Sequence, residues 1–141
     1  MANQENTITI ETTVKATIKK VWNSWTSPEH IVHWNNASAD WHTPHTENDL
    51  RPGGKFVSRM EARDGSMGFN FSGVYDEVKQ YELVAYTLED DRKVIITFLS
   101  LGEETKIVET FDTEGSNTAE IQRNGWQAIL DNFKHYTENL K

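Results

Sequence analysis

The chain has 141 residues, with 14 Lys and Arg against 22 Asp and Glu, a formal charge of -8, and no cysteine. The missing thiols exclude disulfides, thiolate metal sites and a cysteine nucleophile. The acidic balance, with the basic residues scattered, argues against nucleic acid and anionic membrane surfaces as partners.

The length favours a single domain over residues 1–141. A chain of that size buries about two-thirds of its unfolded surface and needs no covalent or metal staple. The opening MANQENTITIE lacks the basic stretch and apolar run of a signal peptide. No segment approaches the roughly 18 consecutive apolar residues of a membrane span, so a cytoplasmic location is expected.

Ile8, Ile10 and Val14 share one parity, with threonines between them, and read as a half-buried strand. In the stretch ATIKKVWNSWTSPEHIVHW, Ile18, Val21, Trp22 and Trp25 recur at three and four residues, the spacing of an amphipathic helix. Pro28 ends that helix and opens a second short one, with Ser27 as its N-cap and Ile31 and Trp34 as its apolar face. From about residue 40 to 113 the pattern changes to strands and tight turns. KFVSRMEA, MGFNFSGVYDEV, ELVAYTL, KVIITFLSL and TKIVETF each read as a strand. The links RPGG, RDGS, KQYE, EDDR and LGEE are short enough only for an antiparallel meander. The last segment, roughly Thr118 to Leu140, is one long helix with Trp126, Ile129, Leu130, Phe133, Thr137 and Leu140 along its stripe. Gln127, Asp131, Lys134 and Glu138 lie off that stripe. The order predicts an α+β fold: a strand, two short helices, about six further antiparallel strands, and a long helix. A twisted antiparallel sheet has one face to cover, and only the last helix is long enough to cover it.

Five separated blocks carry a resemblance: ATIKKVWNSWTSPEHIVHW, DLRPGGKF, FSGVYDEVKQYELVAYT, GEETKIVETF and NGWQAILDNF. In this order and spacing the chain resembles START-like, or SRPBCC, domains. Among them it is most similar to the stand-alone form of the Hsp90 ATPase activator C-terminal-domain family. The resemblance implies a helix-grip fold, a curved antiparallel sheet of about six to seven strands wrapped around the C-terminal helix, with a cavity between them. It implies a cavity for an apolar or aromatic small molecule, since relatives include carriers, receptors and cyclases. The eukaryotic chaperone activator has a further N-terminal domain that is not expected here, so its chaperone role is not carried over.

The conspicuous residues mostly have plain explanations. His42 and His45 stand three apart, which in a strand puts them on opposite faces, so solvated histidines are favoured over a metal site. Pro44 between them suits an edge or irregular strand, which leaves a bulge open. RPGGKF lacks the first glycine and the Ser or Thr of a phosphate-binding loop, and a strand rather than a helix follows it. Pro52 presets a turn, and Gly53 or Gly54 can take positive φ. Gly125, inside the last helix, suggests close packing against a strand. The acidic Glu89, Asp90 and Asp91 read as a solvated turn.

The aromatics, five Trp, four Tyr and six Phe, are the unusual endowment. The candidates for lining a cavity are Trp34 and Trp41 at its mouth and Met60, Phe69, Phe71, Tyr75, Tyr86 and Phe98 on the strands. Trp126, Ile129, Leu130 and Phe133 are the candidates on the last helix. Phe69, Phe71 and Tyr75 share a sheet face, and Gly73 between them leaves space on it. Whether Ser58 or the Arg59–Glu61 parity points inward is not decided by the pattern. No catalytic residue is assigned, because no nucleophile motif is visible. No cofactor is expected.

The favoured expectation is binding of a small apolar or aromatic ligand in an internal cavity, without enzymatic activity. A cyclase-, dehydratase- or hydrolase-like enzyme would need a buried ionisable group aimed into that cavity. A protein-interaction module would instead show a filled interior and an exposed apolar patch; chaperone contact is the lesser reading. A homodimer through aromatics such as Trp41 stays open.

Overall fold

The structure, a computed structural model, describes residues 7–115 and 117–140. The elements run β1 (Thr7–Val14), α1 (Ile18–Thr26), α2 (Pro28–Trp34), β2 (Trp41–Asn48), β3 (Lys55–Ala62), β4 (Gly68–Lys79), β5 (Leu83–Leu88), β6 (Lys93–Ser100), β7 (Thr105–Asp112) and α3 (Ala119–Glu138). The seven strands form one antiparallel sheet in the order β1-β7-β6-β5-β4-β3-β2. From β2 to β7 each strand pairs with the next in sequence, the meander that the short links demand. Only β1 comes from afar, pairing with β7 in unbroken register from Thr7↔Asp112 to Val14↔Thr105. The sheet curls around α3, so this is the α+β helix-grip architecture.

The strand patterning that the sequence left least clear is β2. Pro44 sits there at the sheet edge, and the register with β3 shifts between His42 and His45. An edge position tolerates proline because its missing N–H has no ladder partner to lose. The turns each take one residue of positive φ, and two of these are not glycine: Tyr81 (φ 69°) and Asp91 (φ 72°).

Caps set the helix starts. Thr17 accepts from Lys20 N–H before α1, and Thr118 accepts from Ile121 N–H before α3. Ser27 holds the N-cap position of α2 but makes no capping bond, and Pro28 alone defines that start.

The buried side chains form one core between the sheet and the helices. Val14, Val21, Ile96, Ile107, Phe111, Leu130 and Phe133 are at most 1% exposed. Each large apolar side chain buried to that degree contributes about 1.5–3 kcal/mol. Between the helices, Phe133 meets Trp25 at 4.8 Å and Trp34 at 5.0 Å, and the Trp34 indole donates to Ser24 O at 2.9 Å.

The polar face of α3 has a structural task of its own. β1 is an edge strand, and an unprotected edge invites another chain. Arg123 donates to Thr9 O (3.0 Å), Gln127 to Glu11 O (3.4 Å) and Lys134 to Thr13 O (2.9 Å). Lys15 N–H in turn donates to Glu138 (2.9 Å). Every second residue from Thr9 to Lys15 therefore has one backbone group met by α3, which closes the edge and holds the helix in the sheet.

Gly125 is not a close-packing glycine. A Cβ built there meets nothing within 4 Å. Close packing against a strand is therefore the wrong reason for it, and the helix carries a propensity cost of ~1 kcal/mol there. Gly125→Ala is expected to raise stability by about 0.5–1 kcal/mol in urea unfolding. A loss of stability would mean that the backbone there needs the freedom of glycine.

Candidate functional site

Between the concave sheet face and α3 lies a cavity of about 290 Å³. An apolar cavity of ~150 Å³ accepts benzene, so this one has room for about two rings. Phe56, Ser58 and Met60 of β3, Phe69, Phe71 and Tyr75 of β4, Val84 and Tyr86 of β5, and Glu109 of β7 form its sheet wall. Trp25, Ile31, Trp34 and Asn35 come from α1, α2 and the residue after it, Trp126 and Ile129 from α3, and Arg92 from the β5–β6 turn. The strand period of two explains the selection, since alternate residues of each strand point the same way.

Tyr75 is held from several sides. In the RPGG corner, Gly53 N–H donates to Tyr75 O (2.8 Å) and Tyr75 N–H donates to Gly54 O (2.9 Å). Gly53 has φ +83°, and a Cβ on Gly54 would stand 2.0 Å from Asp49 O. Both glycines are thus required, and the corner positions a cavity wall. The Tyr75 hydroxyl donates to Asn48 Oδ1 (2.5 Å), and burial pushes its phenol well above the ordinary range. Gly73 does not leave free space: Phe56 fills it, with ring atoms 3.1 Å from where a Cβ would be. Phe56 then packs edge-on against Tyr86 at 4.7 Å.

Glu109 is the chemical exception in this wall. On β7 it lies between Ile107 and Phe111 on the inward face, opposite Ile96 on β6 and Ile10 on β1. It is 5% exposed. Burial alone raises its carboxyl from 4.5 to about 8, with no hydrogen bond or neighbouring charge among the described residues to offset it. Tyr86 is likewise driven up, first by burial and then by the negative charge of Glu109. A carboxyl that titrates near neutrality can give or take a proton inside the cavity. Next to Glu109, Phe111 stacks on Trp126 with centroids 4.0 Å apart and 10° between the planes. That contact fixes the Trp126 ring along the cavity.

A model of the family described as Activator of Hsp90 ATPase homolog 1-like protein matches residues 15–138. The chain belongs to this family. It is similar to the AHSA1-like protein from Aeromonas hydrophila, with 43% identity over 94% of this chain and 92% of that one and a TM-score of 0.88. A protein from Cytophaga hutchinsonii is 54% identical over 95% of this chain and 93% of that one, with a TM-score of 0.83. A protein from Chromobacterium violaceum, 22% identical with a TM-score of 0.86 over 96% of this chain and 99% of that one, shares the fold. Comparison with curated proteins gave no match.

Within this family member, the cavity candidates divide. Trp34, Met60, Phe69, Phe71, Tyr75, Tyr86, Trp126 and Ile129 come together on the cavity wall. Trp41, Phe98, Leu130 and Phe133 do not line it. Phe98 is taken up by Trp22 and Trp25, at 5.3 and 5.8 Å. Leu130 and Phe133 are sealed in the core at 1% and 0% exposure. Trp41 lies on edge strand β2, against Phe69 at 5.9 Å. The inward parity of β3 is that of Ser58 and Met60, while Arg59 and Glu61 face out and pair at 2.9 Å.

Trp25, Ile31, Asn35, Phe56, Ser58, Val84, Arg92 and Glu109 complete the wall and were not among the sequence candidates. For Glu109 a signal existed: in TKIVETF, Thr105, Ile107, Glu109 and Phe111 share a parity, and the glutamate is the one charged residue on it. His42 and His45 serve different carboxylates, Glu61 at 3.9 Å and Glu47 at 2.8 Å, and neither reaches the cavity. A larger open groove of about 730 Å³ lies mainly over outward-facing residues of β3 to β5, with the carboxylates Glu47, Asp76, Glu89 and Asp91 on it. It has none of the tryptophans, and Lys55 is the one cation among its four carboxylates.

Proposed function

We propose that the protein binds a small apolar or aromatic molecule in the cavity between the sheet and α3. The observation that supports this most is a hollow interior of about 290 Å³ walled by tryptophan, phenylalanine and tyrosine, with few polar groups at set positions. That combination is what small-molecule sites generally present. Phe69, 48% exposed, lies where the wall meets solvent and offers a way in.

An enzymatic role of the cyclase, dehydratase or hydrolase kind stands behind this reading, because Glu109 meets its requirement for a buried ionisable group facing the cavity. The family's name raises chaperone contact, which calls for a filled interior and an exposed apolar patch; the cavity of about 290 Å³ fits the first poorly, while Ile95, Leu99 and Leu101 are exposed.

A neutral aromatic fluorophore such as N-phenylnaphthylamine tests the proposal. We expect saturable binding of one probe per chain, and loss of that binding in Ile129→Trp, which fills the cavity with the helix retained by circular dichroism. Probe recovered with its mass unchanged fits a binding protein; a product mass would make the cavity an active site. Equal binding to the filled variant would sink the reading.

A further inference from the structure

We propose that the molecule taken up here carries a basic amine, with its protonated nitrogen set against Glu109 and its apolar body among the rings. This rests on the ligand-binding reading and specifies its chemistry.

The geometry supplies the argument. Glu109 is buried and faces the cavity, and among the described residues no hydrogen-bonding or charged partner acts on its carboxyl. A polar group in that situation costs free energy until something satisfies it. The charged or titratable groups lining the cavity are Tyr75, Tyr86, Arg92 and Glu109. Tyr75 already donates to Asn48, and Arg92 is engaged by Asp90 at 2.7 Å. β1 and β6 place only Ile10 and Ile96 opposite Glu109, and α3 places Trp126 and Ile129 on the cavity. Among the described residues, no cation is therefore committed to this carboxyl.

The surroundings favour a cation from outside. Phe71, Tyr86 and Trp126 present ring systems to the same space, and aromatic faces attract ammonium groups. The formal charge of -8 enriches cations around the molecule and disfavours anionic ligands. An ammonium paired with an ionised Glu109 would also satisfy both partners, which a buried charge requires.

The proton balance gives a distinctive signature. Near neutral pH the free cavity holds Glu109 protonated, since burial raises it to about 8. An ammonium ligand then binds as an ion pair, and the carboxyl proton leaves to solvent. Affinity rises with pH until Glu109 is ionised in the free protein.

The test is calorimetry with a matched pair, naphthylmethylamine and naphthylmethanol, in two buffers of different ionisation enthalpy. We expect the amine to bind at least about tenfold more tightly, as desolvated ammonium–aromatic and ion-pair contacts allow. It should release close to one proton near neutral pH, and Glu109→Gln should abolish both the preference and the release. If the alcohol binds as tightly as the amine, or the amine binds without releasing a proton, the amine proposal is overturned while the cavity remains a ligand site. Binding of neither probe to the wild type overturns the ligand-binding reading itself, and the amine proposal with it.

Discussion

Glu109→Gln is expected to stabilise the protein strongly above neutral pH and by less than about 1 kcal/mol near pH 5. The sign follows from the proton. In the unfolded chain Glu109 ionises around its ordinary value of 4.5, whereas the fold holds it protonated up to about 8. Below 4.5 both states are protonated, and the group contributes nothing either way. Between 4.5 and 8 the unfolded state gives up its proton and the folded state keeps it, so stability falls steadily as pH rises. Above that window the wild type carries the full cost of a buried, unpaired carboxylate. Glutamine has nearly the same shape and no charge, so the variant escapes this cost, which is on the order of a few kcal/mol. Urea unfolding of both proteins at about pH 5 and about pH 9 measures it. A difference that does not change with pH would mean that water or a counter-ion already reaches the carboxyl.

Phe133→Ala and Phe69→Ala should separate core from cavity wall. Phe133 is fully buried and wedged between Trp25 and Trp34, and its loss leaves a void that those rings cannot close. The expected cost is about 3–5 kcal/mol. Phe69 is 48% exposed on the cavity rim, and the expected cost is below about 1 kcal/mol. Probe affinity should change the other way, dropping for Phe69→Ala in a protein that stays folded. Denaturant midpoints and fluorescence titrations on the two variants decide the matter. Similar destabilisation by both would place Phe69 in the packed core.

These two phenylalanines also mark a limit of sequence reading. Both were candidates for the cavity because both are large, apolar and on an inward-facing stripe. Which one touches empty space depends on where α1 and α2 lie over the sheet, and that is set by contacts such as Trp25–Phe133, more than a hundred residues apart in the chain. The same holds for Phe98, which lines β6 next to the cavity strands but is covered by Trp22. Glu109 differs, since its place as the one charged residue on the parity of Thr105, Ile107 and Phe111 was visible in TKIVETF. What the pattern did not contain was the void beside it, which makes the residue chemical instead of merely buried.

The local order of this protein is written in the chain itself. The period of two in KFVSRMEA and TKIVETF, the period of three and four around Trp22 and Trp126, and the turn residues at RPGG and RDGS suffice for strands, helices and meander. Those signals are local because backbone geometry alone imposes both periods. The five family blocks extend them to the helix-grip fold. The tertiary structure alone decided which face of β3 turns inward, since both of its parities mix polar and apolar side chains. It also decided that the polar side of α3 closes the β1 edge through Arg123, Gln127, Lys134 and Glu138. And it decided that Glu109 faces a cavity. Each of these depends on surfaces brought together from distant parts of the chain, and no local periodicity carries that information.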